Sequence, residues 1–172
     1  MGNQKFHVAV ILMACLLVLS NAMVDCSSKT GRDSNDQYFQ VTRIIDGDTF
    51  YIDDGTEKGC KVRLAGIDAP ESRKTDKEDV QYYGKESTLY LARLTLGRFV
   101  RLEYDVQHYD RYGRTVAYVF LRDGTFVNAE LIKQGCAVVM TVPPNVKYAD
   151  LFVKLQKNAR KRNAGLWGET ME

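Results

Sequence analysis

The chain has 172 residues, 45% hydrophobic and 27% charged, which gives it the composition of one globular core and excludes a fibrous or disordered protein. Its formal net charge is +2, so overall charge says little about partners and the distribution of charge says more.

Lys5 precedes an unbroken apolar run from Val8 to Leu19, shorter than the ~18 residues that a membrane-spanning helix needs. Ser20 and Ala22 then place small residues three and one positions before a cut, so residues 1–22 read as a signal peptide released after Ala22. The expected destination is secreted or periplasmic. Leu12-Met13-Ala14-Cys15 looks like a lipobox that would anchor a lipid on Cys15. Met13 is large for its position, however, and the apolar run continues past the cysteine, so free export is favoured over an anchor.

Cleavage leaves Cys26, Cys60 and Cys136, an odd number. Cys60 and Cys136 fit a disulfide in an oxidising compartment or two buried thiols equally. No zinc site is expected, because the cysteines lack close-paired spacing and only His108 remains.

Residues 23–37 are mostly small and polar and read as a flexible tether. A domain over 38–168 and a short tail over 169–172 follow. Tyr38 to Ile45, Thr49 to Asp53 and Cys60 to Leu64 are rich in β-branched and aromatic residues and predict successive strands. Asp46-Gly47-Asp48 makes a tight turn, and Asp53-Asp54-Gly55 a hairpin-like connection. Glu71 to Asp79 is dense in charge and predicts an exposed loop. Tyr83, Tyr90, Leu91 and Leu94 recur at helical spacing, which predicts a helix over 84–96 stopped by Gly97.

Phe99 to Val106 and Thr115 to Leu121 predict two more strands, about five in all, with Asp123-Gly124 turning the chain onward. Val127, Leu131 and Ile132 share one face of a short helix ended by Gly135. A last helix runs from about Tyr148 to Arg162, with Leu151, Phe152, Leu155 and Ala159 toward the core and Gly165 as its stop. Lys147, Lys154, Lys157, Arg160, Lys161 and Arg162 crowd this stretch and read first as a solvated face, secondarily as an aid to polyanion approach. Strands gathered early, with helices inserted and appended, predict a mainly β fold with α: a five-stranded OB-type Greek-key barrel flanked by three helices.

Three segments concentrate charge beside turn residues: Asp46-Gly47-Asp48-Thr49, then Val62 to Glu71, then Asp110-Arg111-Tyr112-Gly113-Arg114. Each is weak alone, since Asp-Gly is a common turn and Arg114 could simply pair with Asp110. In joint order they resemble the thermonuclease family (staphylococcal nuclease-like) across Val41 to Trp167, with Tyr83-Gly84, Val127-Asn128, Gln134-Gly135 and Trp167 matching as well. The resemblance implies that Asp48 and Asp68 hold one Ca²⁺, together with the backbone carbonyl of Ala69, where the family's best-known member has threonine. It implies that Arg63, Glu71 and Arg114 are catalytic. A second departure lies in Thr141 to Pro144, where relatives often carry tyrosines that touch base or sugar.

These residue types suit phosphodiester hydrolysis. Carboxylates are hard ligands for Ca²⁺. A guanidinium stays charged and donates two parallel hydrogen bonds to phosphate oxygens. Glutamate can orient a water, whereas proton abstraction by so weak a base is the less secure role. Arg111, Tyr112, Lys74 and Lys77 are the expected substrate contacts, through phosphate pairing and stacking on base or sugar. The implied activity is a calcium-dependent nuclease on DNA and RNA that prefers unpaired strands, has little sequence specificity and leaves 3′-phosphate ends. The chain would act as a monomer without an obligate protein partner. The rival expectation is a catalytically silent nucleic-acid-binding module of the same fold. An OB-type sugar-binding or structural protein would leave the paired arginines and the Asp-Asp-Glu set unexplained.

Overall fold

The structure, a computed structural model, describes residues 37–74 and 79–168. The leader with Cys15, the tether through residue 36 with Cys26, the loop lysine Lys77 and the tail lie outside the described residues.

Five strands close the expected barrel in the order β1 (Tyr38–Asp46), β2 (Thr49–Ile52), β3 (Cys60–Leu64), β6 (Thr115–Leu121) and β5 (Phe99–Glu103). All neighbours are antiparallel except β3 and β6, which run parallel with Val62 opposite Thr115 and Arg63 opposite Val116. Alternation fills the interior from each strand: Val41, Phe50, Ile52, Val62, Leu64, Val100, Ala117, Val119 and Leu121 are buried. Three helices pack outside, α1 (Gly84–Thr95), α2 (Val127–Lys133) and α3 (Ala149–Lys161).

Beyond the five expected strands, β4 (Ile67–Asp68) and β7 (Val138–Val139) form a separate two-stranded sheet. Two residues are too few to show a period, so neither strand was visible in the sequence. This small sheet carries Asp68, and α3 holds it from below. Gln156 accepts the Val139 N–H at 2.8 Å, and the Phe152 ring packs so close to Gly66 that a side chain there would meet it at 2.7 Å.

Several expectations need correction. β5 stops at Glu103 rather than Val106, because Asp105 leaves the ladder to accept the Lys147 N–H and the Tyr118 hydroxyl. Leu151 is 40% exposed and does not face the core; Phe152 and Ala159 do. The end of α3 belongs to Asn163, in the left-handed region at φ 50°, while Gly165 opens a short 3-10 turn through Trp167. The Glu71–Asp79 loop is not wholly exposed, since Ser72 is buried and Glu71 half-buried. Cys60 and Cys136 are both free thiols: Cys60 lies 3.0 Å from the Thr115 hydroxyl, and Cys136 is buried in the hydrophobic core, where burial pushes its thiol up to about 12.

Candidate active site

The site is assembled by the close approach of three chain segments. Two register shifts in β1, between Val41 and Arg43 and between Ile44 and Asp46, bend the end of the strand into the Asp46-Gly47-Asp48 turn. Gly47 lets that turn lie against its neighbours: a Cβ there would sit 2.6 Å from the Ala69 Cβ and 3.0 Å from that of Ser87 in α1. Asp48 is thereby pressed onto the Asp68-Ala69 segment, and its Oδ2 accepts the Ala69 N–H at 2.8 Å. The other oxygen accepts the Thr49 hydroxyl at 2.9 Å.

Arg63 joins the two carboxylates. Its Nη2 lies 3.0 Å from Asp48 Oδ2 and 2.7 Å from Asp68 Oδ1, and its Nη1 donates to the carbonyls of Leu64 and Ile67 at 2.8 and 2.7 Å. Arg63 and Asp48 are buried, whereas the Asp68 side chain is 48% exposed. Burial pushes the Asp48 carboxyl up to about 7; the Arg63 charge pulls against this rise and Asp46 adds to it.

That environment fits a divalent cation. Hard carboxylate oxygens converge from Asp48 and Asp68 with Asp46 beside them, and a buried carboxylate flanked by a like charge gains by a second positive charge. Among the described residues no cluster of three or more histidine, cysteine or acidic side chains has metal-binding geometry.

Glu71 enters from the loop past Pro70. Its N–H donates to Gln81 Oε1 at 3.2 Å and its carbonyl accepts the Gln81 N–H at 2.9 Å. Gly84, the first residue of α1, packs directly against this backbone, where a Cβ would lie 2.2 Å from the Glu71 carbonyl oxygen. The start of the helix thus fixes how far the Glu71 segment can retreat.

Beside these groups opens a cleft of about 430 Å³ that both Arg63 and Arg114 line. The Asp110-to-Arg114 turn at its rim is self-bonded: Asp110 Oδ1 accepts the N–H groups of Tyr112 and Arg114 at 2.9 and 3.0 Å, and Gly113 takes the left-handed conformation. Arg114 Nε pairs with Asp110 Oδ2 at 2.6 Å. This pair holds the guanidinium by one edge, and neither terminal nitrogen has an acceptor among the described residues. Burial tends to raise the Asp110 carboxyl, but the hydrogen bonds from Arg114 and Tyr112 outweigh it and hold it below the usual range. Arg111 and Tyr112 also line the cleft, joined by a 2.7 Å hydrogen bond. Lys74 does not; it is exposed and pairs with Asp79 at 2.8 Å.

Sequence reasoning missed Asp46, Thr49, Gln81, Tyr109, Met140, Val142 and Asn145. Asp46 and Thr49 stood beside Asp48 in a segment already singled out. Asn145 had no signal, because its work is to pair with backbone 38 residues away: it accepts the Gln107 N–H and donates to the Gln107 carbonyl, both at 2.8 Å.

A family model described as "Staphylococcal nuclease homologue" matches residues 61–169. A thermonuclease of Staphylococcus hyicus is 39% identical over 163 residues, covering 92% of this chain and 94% of that protein. A thermonuclease of Staphylococcus intermedius is 42% identical over 140 residues, 81% of each chain. An uncharacterized endonuclease of Escherichia coli is 34% identical over 134 residues, 78% of this chain and 79% of its own.

Proposed function

The chain belongs to the staphylococcal nuclease homologues, and from that membership we propose that it is a nuclease hydrolysing phosphodiester bonds of nucleic acids. One observation carries the residue-level reading: a single Arg63 nitrogen bridges Asp48 and Asp68 at the edge of the cleft that Arg114 lines.

In this reading Asp48, Asp68 and the Ala69 carbonyl hold one Ca²⁺, which when bound neutralises charge and polarises the phosphoryl group. Arg63 is already oriented by two carbonyls and two carboxylates, so its guanidinium is fixed before a phosphate arrives. Arg114 offers its two terminal nitrogens to phosphate oxygens while Asp110 holds the third, giving the planar, two-pronged donor that a trigonal-bipyramidal phosphorus needs. Glu71, on a backbone braced by Gln81 and Gly84, orients the attacking water. Arg111 contacts the substrate backbone, and the loop lysines Lys74 and Lys77 act through charge alone.

Digestion of single-stranded and duplex DNA and of RNA, with calcium and then with chelator, tests this reading. Calcium-dependent cleavage, faster on unpaired strands and leaving 3′-phosphates, is expected. Absence of cleavage with every divalent metal would sink it. The Val8–Leu19 run with Ser20 and Ala22 supports export with a cut after Ala22, and the released chain would act as a monomer. Amino-terminal sequencing and sizing of the released protein check this, and a retained leader would refute it.

A further inference from the structure

Tyr112 and Tyr109 both line the cleft and both are well exposed, at 67% and 62%, yet their rings stand in different situations. The Tyr112 ring is already occupied. The guanidinium carbons of Arg111 and Arg114 lie over it at 4.8 and 5.4 Å, and its hydroxyl accepts a hydrogen bond from Arg111. A base stacking on Tyr112 would compete with the two cations expected to meet phosphate. No aromatic ring or cation covers Tyr109 among the described residues.

Tyr109 is also held in place. Its carbonyl accepts from Gln107 Nε2 at 2.7 Å, and it bridges Thr115 across the turn. On one side the His108 carbonyl accepts the Val116 N–H at 2.8 Å and the His108 ring stacks on Tyr104 at 4.6 Å. Behind it, buried Asn145 clamps the backbone of Gln107. An exposed aromatic side chain on so constrained a backbone loses little freedom on binding, which favours its use as a contact surface. The same cleft carries Met140 and Val142, exposed by 42% and 55%, and the amides of Gln107 and Asn145 in its lining donate to the carbonyls of Tyr109 and Gln107, so its wall beyond the arginines is mostly apolar and poor in base-reading donors.

We propose that Tyr109 is the base-stacking residue of this chain, receiving the face of a nucleobase next to the phosphate held by the arginines, and that Tyr112 instead supports Arg111 and Arg114 as a positioning residue. The inference rests on the nuclease reading and deepens it. It names an unpaired nucleotide of any base as the occupant, since every base offers a π-face and only a strand free of its partner can present one.

The test compares Tyr109→Ala and Tyr109→Phe with the unaltered protein, using a short fluorescent single-stranded oligothymidylate and the same strand bearing abasic sites. Affinity is measured in chelator and steady-state cleavage in calcium. Tyr109→Ala should raise Kd and KM on the thymidylate strand between roughly fivefold and a hundredfold, with kcat little changed, and should leave the abasic strand unaffected. Tyr109→Phe should restore binding, because the ring and not the hydroxyl stacks. If the unaltered protein cleaves but Tyr109→Ala matches it on both strands, or loses equally on both, or Tyr109→Phe fails to restore, this inference falls alone. If the unaltered protein neither binds nor cleaves, it falls together with the nuclease reading.

Discussion

Arg63 and Asp48 form an ion pair of 3.0 Å in which the side chains keep only 11% and 8% of their exposure to water. Such a pair is costly to break on one side, because the surviving charge is left buried without compensation. Arg63→Ala should therefore lose stability as well as turnover, by about 3–5 kcal/mol in the absence of metal, or on the order of 10 °C in Tm. Calcium should recover part of the loss by supplying the missing positive charge. Thermal unfolding with and without calcium reads this; an unshifted Tm in chelator would contradict the buried pair.

Arg114 is the contrasting case. Its pair with Asp110 lies on a half-exposed turn, where ion pairs contribute about 1 kcal/mol at most. Arg114→Ala should therefore leave Tm nearly unchanged while lowering kcat about 10²–10³-fold, the usual loss for one donor to transition-state charge. Arg114→Lys should recover little, since an ammonium paired with Asp110 cannot present two parallel, coplanar donors to a phosphate. Steady-state kinetics on the two variants decide it, and near-normal turnover by either would remove Arg114 from its assigned role.

Gly84→Ala places a methyl group 2.2 Å from the Glu71 carbonyl oxygen, and both partners are backbone that cannot rotate away. The expected cost is about 1–3 kcal/mol of overpacking. The strain is relieved by moving Glu71, so kcat should fall up to about a hundredfold with a displacement near 1 Å. Ser87→Ala, which removes a buried hydrogen bond to the Cys136 carbonyl on the same helix, should cost stability with a smaller effect on kcat. If the two variants lose activity in proportion to stability, Gly84 has no special bearing on Glu71.

Acid should weaken the fold partly through Glu103. Burial tends to raise its carboxyl, but hydrogen bonds from Lys147 and Tyr148 outweigh this and hold it below the usual range. A carboxyl depressed in the folded state contributes stability above its unfolded value of about 4.3 and loses it as pH falls toward the folded value. Glu103→Gln should accordingly be less stable than the parent at pH 7, and the gap should close below about pH 4. Urea denaturation across that range reads the gap; a gap independent of pH would show that Glu103 acts by packing alone.

Much of the fold was legible because β1, β2, β3 and β6 carry β-branched and aromatic runs bounded by Asp-Gly signals, and α1 and α2 repeat at helical spacing. Leu151 misled because an apolar residue one position before Phe152 sits 100° round the helix, and the sequence does not say which of the two meets the barrel. β4 and β7 were hidden by length. At the site, Asp48, Asp68, Arg63 and Arg114 stood out as charges beside turns. Asn145 did not, because a backbone-binding amide acquires meaning only from a partner distant in sequence, and Tyr109 did not, because an exposed ring carries no charge or turn signal of its own.

The parallel pairing of β3 with β6 sets Arg63 opposite Val116, two residues after Arg114. Arg63 therefore stands on one stave of the closed cylinder, and Arg114 ends the turn that leads straight into the adjacent stave. Insertions or grafts in connecting segments other than the Asp110-to-Arg114 turn would change the entrance to the cleft but leave the gauge between the arginines as it was. A single-residue deletion inside β6 would do the opposite, turning its alternation inside out and shifting the turn that carries Arg114 against Arg63. For redesign of this protein, the loops are the adjustable parts and the barrel register is the jig.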